Sequence, residues 1–316
     1  MDVFGNPVAV GGDFLRAAAI DAAHELGIFA RLAAAPATLD ELARAAGVGT
    51  GHRRLRALCD VLAAIGAITR PAPRVARFAA ASSTPPRAGV PRAGWGQLAD
   101  VIRADRALPP EEGDVALRYQ RHLAVAGADA ARELAPLLGR GPLLDLGCGL
   151  GTYSAAFLDA TPGASATLCD RPDIVALAGA ELARHRDRVR LVAGDARTAP
   201  VGAGHGAVLL ANVLHLHDER VGAELCLTAA RAVADDGVVV IKDLRVDEDR
   251  GGPLEGLLFA LNMAVYTDGG DVYPVTQLRT WLTSAGLPAI EERRLAAAPD
   301  GVVLFARRGS RTAVPA

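Results

Sequence analysis

One stretch constrains this chain more than any other. Asp145-Leu146-Gly147-Cys148-Gly149-Leu150-Gly151 follows the apolar run Pro142 to Leu144 and precedes a helical pattern. Three alternate glycines at a strand-to-helix junction remove each Cβ that would block a bulky ligand or forbid positive φ. A tight turn with no ligand is the competing reading of these residues taken alone. The spacing narrows the choice of ligand. A dinucleotide fingerprint needs a third small residue where this chain has Thr152, and no Gly-Lys-Ser/Thr ending follows, so neither pyrophosphate nor triphosphate is accounted for.

Downstream residues extend the pattern. Ala166 to Asp170 reads as a second strand ending in a carboxylate, with Pro172 near the start of the next helix, where its fixed φ is favourable. An aspartate at that tip can accept both hydroxyls of a ribose. A third strand, Val189 to Val192, runs into Gly194-Asp195, and a fourth, Ala207 to Val213, runs into His215. Helix capping explains any one of these aspartates as well as ligand binding does; it does not explain the set. Polar groups at the carboxyl ends of consecutive parallel strands mark the ligand side of an open α/β sheet. S-adenosylmethionine, a nucleoside cofactor with no phosphate, fits both the glycine spacing and the strand tips.

The chain resembles the class I S-adenosylmethionine-dependent methyltransferases, specifically the small-molecule O-methyltransferases with an N-terminal winged-helix dimerisation domain. The resemblance runs from about Phe14 to Arg307. It is carried by Glu25 to Phe29 (ELGIF), Thr38 to Ala43 (TLDELA), the glycine loop, Asp170-Arg171-Pro172, Gly194-Asp195 and Asn212-Val213-Leu214-His215. It implies a Rossmann-like, doubly wound α/β domain with a mostly parallel seven-stranded sheet, preceded by an α-helical winged-helix unit. The expected division is 1–80 for dimerisation, 81–138 for a helical connector to the substrate pocket, and 139–308 for the catalytic domain. The residues expected at the cofactor are Asp145, Gly147, Gly149, Gly151, Asp170, Arg171, Asp195, Ala196 and Asn212. The product would be S-adenosylhomocysteine, the partner a small organic acceptor of secondary metabolism, and the assembly a homodimer through the N-terminal domain.

Bulk properties agree. A chain of 316 residues, 51% hydrophobic, can build a sizeable core, and a net charge of -2 argues against a dedicated nucleic-acid binder. Cys59, Cys148, Cys169 and Cys226 are widely spaced, without the pairing of a disulfide framework or a thiolate zinc site. With no leader pattern and no apolar run near the roughly 18 residues that span a bilayer, a cytoplasmic, membrane-free protein is expected.

The N-terminal part keeps a rival reading open. Phe14, Ala18, Ala22, Leu26 and Phe29 recur at helical spacing, and Thr38 to Glu41 has the form of a reciprocal capping box. A third helix is expected from about Gly51 to Ile65, and Ile68 to Phe78, broken by Pro71 and Pro73, reads as a two-stranded wing. His52, Arg53, Arg54 and Arg56 on that third helix would suit a cofactor-sensing DNA regulator. Residues 1–80 nevertheless hold nine Arg against seven Asp or Glu, a balance of +2. A duplex-binding face needs a denser basic stripe, so a solvated face is the better explanation. Ala17, Ala18, Ala19, Ala22 and Ala23 would let the first helix pack closely on a second copy.

His215 is the expected general base. The resembled family's Leu-His-Asp-Trp-Ser-Asp segment is matched by Leu214-His215-Leu216-His217-Asp218, with Leu216 and His217 departing from it and one residue fewer before Asp218. The next strand, Val238 to Ile241, leads to Lys242-Asp243, where Asp243 stands for the family's glutamate that orients the histidine. The family's second flanking acid has no counterpart: alignment puts Val272 in its place, with Asp271 beside it. That departure keeps carbon or nitrogen methylation open, as well as a non-methylating reaction on the same fold. It also admits a metal alternative for an enolisable 2-oxo acid, in which His215 and His217 face one side of a continued strand with Asp243, Asp268 or Asp271 as oxygen donors. O-methylation without a metal is the main expectation.

The acceptor is expected near Trp95, near Tyr119 and Leu123, whose segment Tyr119 to Leu123 matches a family Phe-Asn-x-x-Met pattern, and along a helix of about Pro253 to Val265. From that last region come Phe259, Asn262, Met263 and Tyr266; Asn262 and Tyr266, four apart, can present an amide and a hydroxyl on one face. Ordinary core packing is the alternative for Trp95, Tyr119, Phe259 and Met263. A helix near Thr276 to Ser284 and strands at Ala289 to Leu295 and Val302 to Arg307 complete the fold, and the end from Gly309 is expected to fray.

Overall fold

The computed structural model describes residues 12–49, 52–70, 77–109 and 113–309. The chain forms two compact units, dividing between Glu111 and Glu112, with Arg245–Pro274 returning to the first unit and Val275 beginning the second stretch of the other. This differs from the three-part division expected, with boundaries near 80 and 138. The reason for the return lies in the helix Leu254–Tyr266, where every residue from Gly256 to Val265 is buried. A helix apolar on all faces must be covered all round, and this one packs on Arg53–Ala64 of the same unit.

In the first unit the helices Gly12–Glu25 and Ile28–Ala34 meet at Gly27, whose φ of 70° turns the chain between them. Ala18, Ala19, Ala22 and Ala23 are buried within the single chain, while Phe14 is 41% exposed. The alanine surface expected to meet a second copy is thus already covered, and Phe14 is not a core residue. Helix Leu39–Ala46 starts with the expected capping box: Thr38 Oγ1 accepts from the Glu41 N–H at 3.2 Å, and the Thr38 N–H donates to Glu41 Oε2 at 2.8 Å. Strands β1 (Ala37–Thr38), β2 (Ile68–Thr69) and β3 (Arg77–Ala80) form an antiparallel sheet in the order β1-β3-β2. The expected wing tip at 71–76, the start of the third helix at Gly51 and the chain end from 310 lie outside the described residues.

The basic side chains of the third helix are engaged by groups of the same unit rather than left as a free basic face. Arg53 donates to the carbonyls of Thr267, Asp268 and Gly270, and Arg54 to Asp105 and the Thr267 carbonyl. Arg56 pairs with Asp271 at 2.6 Å. These cations clamp the returning 245–274 segment, a use that no local pattern announces.

The second unit is a seven-stranded sheet: β4 (Leu143–Leu146), β5 (Ala166–Asp170), β6 (Val189–Ala193), β7 (His205–Ala211), β8 (Val233–Leu244), β9 (Ala289–Leu295) and β10 (Ala298–Arg307), in the order β6-β5-β4-β7-β8-β10-β9. β4 to β8 pair in parallel, and β10 is antiparallel to both β8 and β9. Leu134, Leu138, Phe157, Leu209, Val240 and Phe305 share the apolar core on one face. The strand order reverses between β4 and β7, and such a switch point leaves a crevice at the carboxyl ends of the strands. The glycine loop opens there. No helix among the described residues is long and apolar enough to cross a membrane.

Candidate active site

Gly147, Gly149 and Gly151 all have positive φ, at 75°, 53° and 77°. Their surroundings differ. A Cβ on Gly147 would come within 2.6 Å of Val213 Cγ2, and one on Gly151 would run into Leu182, so both positions serve close packing. A Cβ on Gly149 would meet only Gln120 Oε1, at 3.7 Å; this is where the loop stays open to a ligand.

The loop is tied to the tip of β5. Asp170 Oδ2 accepts from the Gly149 N–H at 2.9 Å and its Oδ1 from the Arg171 N–H at 2.8 Å. A carboxylate has about four lone-pair positions, so acceptor capacity remains for a ribose. Asp145 lies in β4, buried, and accepts from Ser154 Oγ at 2.7 Å. Burial pushes its carboxyl up to about 7, with the Ser154 hydrogen bond opposing and the Asp170 charge adding to the rise. The Arg171 guanidinium pairs with Asp173 at 2.8 Å. Asp195, at the end of β6, is held down to about 2 by Arg197, which also reaches Glu224 at 3.2 Å. Ala196 follows it, half-buried. Asn212, just past β7, takes a φ of 55° and accepts from Lys242 Nζ at 2.8 Å.

His215 and Asp243 come together across the tips of β7 and β8. His215 Nδ1 lies 2.6 Å from Asp243 Oδ1, and both residues are buried. Asp243 also accepts the Leu244 N–H at 2.8 Å and faces the His215 N–H at 3.3 Å. The shorter acid therefore still reaches the ring. His215 sits in a 3-10 turn, Leu214–Leu216, not in a continued strand. The continued strand on which the metal alternative was built is thus not present at this position, and among the described residues no group of three or more His, Cys, Asp or Glu is arranged to hold a metal ion.

The expected acceptor residues are distributed over both units. Tyr119, half-buried with its phenol pKa raised by burial, and Leu123, 40% exposed, lie on the long helix Gly113–Leu134. Trp95, Phe259, Asn262 and Met263 are buried in the other unit, with Tyr266 half-buried at the end of the same helix. Trp95 Nε1 donates to Asn262 Oδ1 at 3.0 Å, so that amide oxygen is already engaged. Asp271 is engaged too: it binds Arg56 and, at 3.0 Å, Arg250. Sequence reasoning gave no role to Tyr153, Ser154 or Lys242, although a lone lysine closing the apolar run Val238 to Ile241 was a visible signal.

A doubly wound sheet with an open glycine loop at its switch point, and polar groups on successive strand tips, defines a Rossmann-like methyltransferase fold. Comparison with known proteins carries this to a family. A sequence profile described as an O-methyltransferase domain matches residues 105–288. The 3-hydroxy-5-methyl-1-naphthoate 3-O-methyltransferase of Streptomyces sahachiroi is 30% identical over 90% of each chain. An O-methyltransferase family 2 protein of Planctomyces limnophilus, solved with apigenin, shares 25% identity over 93% of each chain at a TM-score of 0.73. Human N-acetylserotonin methyltransferase, solved with SAM, shares the fold at a TM-score of 0.59, with 23% identity over 94% of this chain and 95% of that one. The chain belongs to the O-methyltransferase family, whose methyl donor is S-adenosylmethionine.

Proposed function

We propose that this protein methylates a hydroxyl group of a small aromatic acceptor, with His215 as general base and Asp243 as the group that orients it. The His215–Asp243 contact is the observation that carries this reading. A carboxylate on Nδ1 fixes the tautomer with its proton there, leaving Nε2 as the basic nitrogen, and it stabilises the charge the ring acquires. A phenol with a pKa near 10 is mostly neutral at pH 7, so a base that takes its proton contributes on the order of 100- to 10,000-fold.

The cofactor fits the residues present. Gly149 offers the open backbone, and Asp170 the acceptor capacity for a ribose, while Asp195 and Ala196 at the next tip extend the same edge. When bound, S-adenosylmethionine supplies an electrophilic methyl group on a sulfonium. The protein's own contribution is to hold the acceptor oxygen in line and to receive its proton at His215 Nε2; positioning of this kind has a ceiling of roughly 7–11 kcal/mol.

An aromatic acceptor is supported by the naphthoate named for the Streptomyces relative and the apigenin bound to the Planctomyces protein. A test incubates the protein with methyl-labelled S-adenosylmethionine and a panel of hydroxynaphthoates and flavones, reading methyl ether formation by mass and NMR. Label on carbon or nitrogen, or no label with any member, would count against the reading. A homodimer built on the N-terminal unit, with exposed Phe14 on its first helix, is part of the same proposal; light scattering of wild type and Phe14→Arg tests it. A cytoplasmic location is supported by four cysteines that are buried and unpaired.

A further inference from the structure

Lys242 is a buried cation that the reading above leaves without a task. It precedes Asp243 in β8, so strand alternation sends the two side chains to opposite faces of the sheet. Asp243 meets His215, whereas Lys242 Nζ donates to Asn212 Oδ1 at 2.8 Å. Among the described residues that amide is its one hydrogen-bond acceptor, although an ammonium carries three donors. Lys242 is 8% exposed, so water has little access to the other two.

A second group in the same place lacks a partner. Tyr153, in the first turn of the helix Thr152–Ala160 that follows the glycine loop, is also 8% exposed. Its hydroxyl lies beside the Asn212 side chain, close enough to be influenced by it, and among the described residues it completes no hydrogen bond of good distance and angle. Burying a polar group unpaired is costly, and burying an unmatched charge is costlier. The Asp243 charge acts on Lys242 from across the strand without a hydrogen bond to it, so what the ammonium and the phenol O–H both still call for is an acceptor, and an anionic one suits the ammonium best. A carboxylate, with two oxygens, can take one donor on each.

We propose that Lys242, Asn212 and Tyr153 form a carboxylate-binding site behind the glycine loop. The carboxylate comes from the amino-acid end of S-adenosylmethionine or from the acceptor, and the assignment rests on the cofactor reading given above. Both sources present the same chemistry to Lys242, but they separate in binding measurements that do not depend on turnover.

Calorimetry of the full chain compares S-adenosylhomocysteine with methylthioadenosine, which keeps the nucleoside and thioether but lacks the amino-acid end. A second arm compares a hydroxynaphthoate with the matching naphthol at saturating S-adenosylhomocysteine. If the cofactor is the source, Lys242→Met loses about 10- to 100-fold of its affinity for S-adenosylhomocysteine and none for methylthioadenosine, and Lys242→Arg restores most of it. If the acceptor is the source, the same loss appears for the naphthoate alone. Tyr153→Phe, which removes only the hydroxyl, reproduces the pattern at smaller size and covers the case in which the lysine variant does not fold. Ligand ratios in the variants equal to those of wild type, in both arms, would overturn the site. Wild-type protein that binds neither nucleoside would instead overturn the cofactor reading, and this inference with it.

Discussion

His215 Nδ1 and Asp243 Oδ1 stand 2.6 Å apart across the tips of two adjacent parallel strands, both out of reach of bulk water. The pairing leaves only one ring nitrogen to act as a base, and Asp243 also accepts from the Leu244 and His215 backbone. His215→Ala is expected to lower kcat by about 100- to 10,000-fold while S-adenosylhomocysteine affinity is unchanged. Asp243→Asn, which alters the tautomer preference but not the shape, is expected to lose nearly as much. Single-turnover rates and calorimetry together check both; full turnover in the two variants would mean that proximity alone drives the reaction.

The glycine loop makes a paired prediction. Gly149→Ala adds a Cβ at a φ of 53° in open space, so it costs about 1–2 kcal/mol of backbone strain and obstructs the approach of the cofactor. Gly151→Ala meets Leu182 and Leu168 as well as the strain. The first variant should lose more S-adenosylhomocysteine affinity than stability, and the second the reverse. Equal behaviour in melting and binding would show that the loop has no open face.

Asp145 gives a dependence on pH. Its folded pKa of about 7 lies above that of an unfolded aspartate, about 3.9, so between these values the folded chain holds more protons than the unfolded one. Stability from this group is fully present below about pH 4 and falls as pH rises to about 7. Thermal melts of ligand-free protein should show Asp145→Asn gaining on wild type across that window. Parallel curves would show that the buried carboxyl is not shifted.

Asp60 tests the clamp on the returning segment. It is 1% exposed and binds Arg70 as well as Arg250, the latter at 2.6 Å, and Arg250 in turn binds Asp271. Asp60→Ala removes the shared counter-charge from two guanidiniums and is expected to destabilise by about 3–5 kcal/mol. A urea midpoint that does not move would mean that solvent already compensates these cations.

Much of the site was legible because it is local. The Asp145 to Gly151 turn, Pro172 at the start of its helix and the Thr38–Glu41 capping box each act over a few residues, so their chemistry is written in consecutive positions. The contact between His215 and Asp243 was expected through family resemblance. The basic residues Arg53, Arg54 and Arg56 were misread as a solvated face because each has a partner more than 200 positions away along the chain. The alanines of the first helix were misread for a similar reason, since burial against the same chain and burial against a second copy leave the same pattern.

By itself the sequence determined the succession of strands, turns and helices and the polar character of the strand tips, since periodicity and glycine placement act locally. Only the tertiary structure decided that residues 245–274 return to the first unit, that Asp271 is held by Arg56 and Arg250, and that Lys242 lies buried against Asn212. Those outcomes depend on strand order and on which apolar face covers which, and burial turns a charged side chain into a partnered one only once the whole sheet has assembled.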